Sequence, residues 1–183
     1  MISIKLFADF YDKLVGRRGA DEVRERSDQI AAQATLDIGS WAALHIGLQS
    51  SDATPEQRRQ VCSAVLKGFE GKISDEKVAK AIVRALRCDA DSARQIAQTD
   101  LTRIAGFAAW RGARRAGFKR KIWMTSQDHV VRSTHAAMDG QVRAIDEPFT
   151  SPSGATAMFP GEFGIAAEDD ACRCAMRAAF PGE

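Results

Sequence analysis

Asp128, Arg132, His135 and Asp139 stand 4, 3 and 4 residues apart, so all four side chains share one face if the segment is helical. Two carboxylates and an imidazole around a divalent ion, with a guanidinium to steady phosphate, are the parts of a metal-dependent hydrolase or nuclease that uses Asp128, His135 and Asp139. The same four residues also suit a structural end, with Asp128 paired to Arg132 and His135 held by a hydrogen bond, and this is the expected use. No serine nucleophile with a matched base, glycine-rich phosphate loop or two-histidine zinc helix accompanies them.

Cys172 and Cys174 flank Arg173. In a strand, residues two apart share a face, so both thiols point one way and the arginine the other. With His135 they make a three-ligand soft site for which zinc is the natural ion. The spacing is not that of a Cys-x-x-Cys knuckle, and two buried or reversibly oxidised thiols are the commoner outcome for such a pair. Cys62 and Cys88 lie on apolar helical faces and read as core.

Charge is segregated along the chain. Between Leu101 and Gln127 there is no acidic residue, yet Arg103, Arg111, Arg114, Arg115, Lys119, Arg120 and Lys121 occur there. From Ala144 to Cys172 the reverse holds, with Asp146, Glu147, Glu162, Glu168, Asp169 and Asp170 and no Lys or Arg. The two stretches either pair within the fold or are solvated. A sharper alternative makes Arg111, Arg114, Arg115, Lys119 and Arg120 a face for DNA phosphate or an acidic partner.

The elements that must position these residues divide near Lys119. Up to about Gly117 helix follows helix. A long one is expected over 20–48, weakened near Gly39. Another begins at Thr54-Pro55-Glu56-Gln57, which supplies an N-cap, a proline at the first helical position and a glutamine placed for a capping box, and it ends at Gly71. Ser74 caps a third, with Val78, Ile82, Val83 and Leu86 as its apolar stripe, and a fourth starts near Asp89 or Asp91 and runs towards Gly117. Beyond Lys119, short apolar pieces alternate with Asp-Gly, Glu-Pro, Ser-Pro, Ser-Gly and Pro-Gly turns. Residues 121–124 read as a strand with Trp123 inside, and 141–145 as a strand following the Asp139-Gly140 turn. The expected class is α+β: a helical region over 1–117 and a small loop-rich α+β module over 118–183.

In order and spacing, Gln98-Thr99-Asp100, Lys121-Ile122-Trp123, Asp128, Arg132, His135, Asp139-Gly140, Phe149, Pro152, Gly154, Met158, Pro160-Gly161 and Cys172-Arg173-Cys174 form one series. This series resembles the phage minor head morphogenesis family often called Mu protein F-like. It departs from the family in having Asp100 where glutamate is commoner. The family's longer members carry flanks, sometimes with a toxin domain, whereas here nothing follows Glu183, which weighs against a C-terminal effector. The resemblance implies a structural minor head protein of a tailed bacteriophage, without established enzymatic activity. It further implies a place at the portal vertex of the virion, reached through the host cytoplasm, and a role in procapsid assembly or in handling packaged DNA. Implied partners are the portal protein, other head proteins and packaged DNA, with no small-molecule substrate. In this reading Lys121, Trp123, Asp128, Arg132, His135, Asp139, Gly140, Cys172 and Cys174 hold the module together.

Composition sets the outer bounds. The 183 residues are 45% hydrophobic and 27% charged with 5 prolines, which excludes disordered, collagen-like and disulfide-scaffold chains. The 26 basic and 24 acidic residues leave a net charge of +2, too little for a wholly basic nucleic-acid binder. No stretch approaches the roughly 20 apolar residues of a bilayer span, and residues 1–12 lack the pattern of a signal peptide. Four cysteines fit a reducing compartment.

Overall fold

A computed structural model of the chain describes residues 37–47 and 52–179. Four helices come first: α1 (37–45), α2 (Pro55–Phe69), α3 (Asp75–Leu86) and α4 (Ala90–Arg115). Of the helix expected over 20–48, α1 is the described part, and it runs through Gly39 without a break; the remainder lies outside the described residues. The starts of the other three follow from their caps. Thr54 Oγ1 accepts the Gln57 N–H while the Gln57 side chain accepts the Thr54 N–H, closing the capping box. Ser74 and Asp89 accept from the first-turn amides of α3 and α4.

After Arg115 the elements shorten. They are β1 (Arg120–Met124), α5 (Ser133–Ala136), β2 (Val142–Ala144), β3 (Phe149–Thr150), β4 (Thr156–Ala157), α6 (Ala166–Asp169) and β5 (Ala175–Ala178). β1 lies between β2 and β5 in an antiparallel sheet, with Ile122 opposite Val142 and Trp123 opposite Met176. β3 and β4 form a separate antiparallel pair. The described chain is therefore α+β, helical first and then small sheets with short helices, as its punctuation implies. None of the described helices is long and apolar enough to cross a membrane.

The described interior has two clusters. The first packs α1 to α4 around Ile46, Val61, Val65, Val78, Ile82 and Ile104. The second gathers Trp123, Met138, Phe149, Phe159, Cys172, Cys174 and Met176 against Phe107 and Ala113 of α4. One helix thus contributes to both. Its junction with the later chain is tight: a Cβ at Gly106 would come within 2.5 Å of the Pro160 carbonyl oxygen, and one at Gly161, where φ is +88°, within 2.8 Å of Arg103 Cα. Only glycine fits at either place.

The segment carrying Asp128 to Asp139 differs from the expected helix. Gln127 takes a positive φ of 54°, a turn follows, and helix is confined to Ser133–Ala136 with Arg132 as its N-cap. The four side chains therefore do not form a ladder on one face.

Candidate metal centre

The imidazole and the two thiols are placed by different devices. The one-turn helix α5 delivers His135. Arg132, just before it, reaches across to donate to the backbone carbonyls of Glu168 and Asp170, anchoring the end of α6 just ahead of the cysteines. α4 holds the same segment from the other side, where Thr102 donates to the Cys172 carbonyl and Thr99 accepts the Ala171 N–H. The extended run 172–174 enters β5, and its alternation turns both thiols inward while Arg173 faces out to Asp128. The strand itself begins only at Ala175, yet the facing expected of the triplet holds.

His135, Cys172 and Cys174 are all buried, and their ligand atoms lie within 4.8 Å of one another. Cys172 Sγ is 3.6 Å and Cys174 Sγ 3.4 Å from His135 Nδ1. A tetrahedral zinc with ordinary bonds sets a sulfur and a nitrogen ligand about 3.5 Å apart, so both sulfur–nitrogen spacings match such an ion. The hydrogen bond from Cys174, aided by His135, holds Cys172 well below the usual thiol range against the effect of burial, and the same bond together with burial pushes Cys174 up.

Behind the imidazole stands a buried carboxylate. Glu168 Oε2 lies 3.0 Å from His135 Nε2, off the line of a hydrogen bond, so that Nε2 is left without a hydrogen-bond partner. Ser151, Ser153 and Thr134 donate their hydroxyls to Glu168. Burial opposes its charge, but the bonds from Ser153, Ser151 and Thr134 and the nearness of His135 prevail and keep the carboxyl below its ordinary range. A carboxylate behind a ligating imidazole is the usual outer shell of a protein metal site. The Trp123 ring closes the near side, edge-on to His135 with centroids 5.4 Å apart, and its buried Nε1 also has no hydrogen-bond partner.

Other residues singled out by sequence go elsewhere. Asp128 is paired with Arg173 at 2.8 Å rather than with Arg132. Asp139 takes bonds from the Thr125 N–H and Oγ1 and from Gln127, and Gly140 turns the chain at φ +73°. Among the described residues Asp128, His135 and Asp139 form no common ligand group. Lys121 is fully buried, donates to the Met158 carbonyl at 2.7 Å and sits 4.8 Å from the Phe149 ring centroid. Burial brings its ammonium down to about 8, although Glu162, Asp146 and Glu147 pull the other way.

The basic run is largely answered by distant acids. Arg111 and Arg115 reach Asp37, Arg114 reaches Asp146, and Arg103 lies between Asp100 and Asp169. Lys119 and Arg120 are exposed beside Arg114 and Arg115 at the end of α4. The sequence reading gave no site role to Glu168, Thr134, Ser151 or Ser153. The hydroxyls come from two separate segments, and the one local signal is the Ser151-Pro152-Ser153 repeat at spacing two.

The profile of the family described as Phage Mu protein F like protein matches residues 59–177. Over 126 residues the chain is 27% identical to minor head protein GP7 of Bacillus phage SPP1, covering 67% of this chain and 41% of that protein. Over 124 residues it is 33% identical to NAD(+)-arginine ADP-ribosyltransferase EFV of Enterococcus faecalis, covering 65% of this chain and 25% of that protein. The matched region thus covers less than half the length of either relative. No solved structure matches.

Proposed function

The chain belongs to the Phage Mu protein F-like family, and from that membership we propose that it is a structural minor head protein of a tailed bacteriophage, acting at the portal vertex in procapsid assembly or in handling packaged DNA. What supports a structural role is where the motif residues lie: Lys121, Trp123, His135, Cys172 and Cys174 are buried and fasten the end of the chain to its centre. Zinc is the proposed occupant of the cluster, with Cys172, Cys174 and His135 Nδ1 as ligands and Glu168 steadying the imidazole. Its contribution there is cross-linking, which a module of about 65 residues needs. The chain catalyses no reaction in this reading. The activity named for the enterococcal relative belongs to a protein of which a quarter is matched. Lys119 and Arg120, both exposed, would face phosphate or an acidic head protein.

Coexpression with the head genes tests the assembly role: the chain should sediment with procapsids and require the portal protein to do so. Sedimentation as a free protein in the presence of complete procapsids would refute it.

A further inference from the structure

We infer that the cleft between α1, the first half of α4 and residues 161–170 receives a guanidinium group, the arginine side chain of a partner polypeptide. The cleft encloses about 580 Å³. Its chemistry follows from which polar side chains on its walls are already engaged. Arg103 donates to the carbonyls of Gly161 and His45 and is flanked by Asp100 and Asp169. Gln95 Nε2 donates to Asp170, and Ser92 Oγ to Asp89. These three side-chain donors therefore have partners.

The acceptors are open. His45 Nδ1 lies 2.8 Å from the Trp41 carbonyl, and a carbonyl can only accept, so Nδ1 carries a hydrogen and donates there. Glu162 accepts the Met158 N–H through Oε2, and Asp170 accepts Gln95 through Oδ2; among the described residues Oε1 and Oδ1 have no partner. Three carboxylates, Glu162, Asp169 and Asp170, line a cleft with one cationic side chain, Arg103. Such a cleft calls for a cation rich in donors.

The aromatic wall selects a flat cation. Trp41 is stacked between Phe107, with centroids 4.3 Å apart, and His45, 4.5 Å away and 8° from parallel. This fixed three-ring stack ends in an exposed histidine at the cleft. A guanidinium can lie against that ring and direct its N–H groups at carboxylates in its own plane, which an ammonium cannot do. The inference depends on the cleft alone and not on the head-protein reading, so either can fail without the other.

The test titrates the full chain with N-acetyl-arginine amide, following the His45 ring and Trp41 indole resonances by NMR. Saturable shifts are expected with a dissociation constant of about millimolar, and the lysine analogue should bind several-fold more weakly. The uncharged citrulline analogue should cause no saturable shift. A Glu162→Gln/Asp170→Asn variant should lose binding by about tenfold while melting as the parent does. Equal binding of citrulline, full binding by that variant, or no saturation by the arginine probe would overturn the inference. Tighter binding of spermidine than of the arginine probe would overturn its assignment to a polypeptide side chain.

Discussion

Replacing Asp100 by asparagine should make the protein more stable at neutral pH and leave it unchanged in acid. Asp100 is completely buried, accepts the Gly47 N–H at 3.1 Å and lies 3.5 Å from Arg103. Burial outweighs both the guanidinium and the amide and raises its carboxyl from 3.8 to about 6. At about 1.4 kcal/mol per pKa unit, this charge costs about 3 kcal/mol when it is fully present. Between about pH 4 and 6 the folded chain keeps a proton that the unfolded chain has released, so the group's contribution to stability falls as pH rises through that window. Asparagine retains an oxygen for the Gly47 N–H and cannot ionise, and Arg103 keeps Asp169 as a partner. Urea unfolding of parent and Asp100→Asn across this range should give a gap of about 2–3 kcal/mol in favour of asparagine at pH 7, closing towards zero near pH 4. A gap independent of pH, or one that favours the parent more as pH rises, would refute the reasoning and mean that Arg103 dominates.

The remaining predictions concern the second core. Trp123→Ala removes a fully buried ring packed against His135 and Phe149 and should cost about 3–5 kcal/mol by denaturant unfolding; an unchanged midpoint would contradict its placement. His135→Ala and Cys174→Ser should loosen the end of the chain first, so that limited proteolysis cuts near Lys119 and Arg120 while the helices before persist. Gly106→Ala should destabilise by more than about 1 kcal/mol because its Cβ meets the Pro160 carbonyl, although alanine is the better helix former. After zinc loading and dialysis the chain should hold about one ion by elemental analysis, and a chelator should then lower its melting temperature.

Local chemistry was readable from sequence and distant chemistry was not. Thr54, Ser74 and Asp89 cap helices where they were expected to, because a cap is decided within four residues. Trp123 is buried as expected, in a strand whose three central residues are all buried rather than alternating. The meeting of His135 with the cysteines was open to inference because a small module needs fastening and these were its soft groups. The partners of Asp128 and Arg132 were misassigned because a helical period was extended across residues 127–132, where the backbone turns. The pairing of the basic run with the acidic stretch was one of the two readings open, and Arg114 with Asp146 and Arg103 with Asp169 bear it out, whereas Asp37, the partner of Arg111 and Arg115, lies outside that stretch and arrives through tertiary folding. For the same reason the hydroxyl cradle of Glu168 left almost no trace in the sequence.

One consequence of α4 serving both cores is mechanical. Its 26 residues span about 39 Å, contain no proline, and carry at their middle a glycine clamped against Pro160. Such a rod has no elbow. A displacement applied at its arginine-rich end, where Arg114 and Arg115 hold Asp146 and Asp37, is transmitted as rigid translation or rotation to the far core, with little absorbed on the way. Any neighbour that grips that end therefore moves α2 and α3 along with it, and the two cores answer a load as one lever.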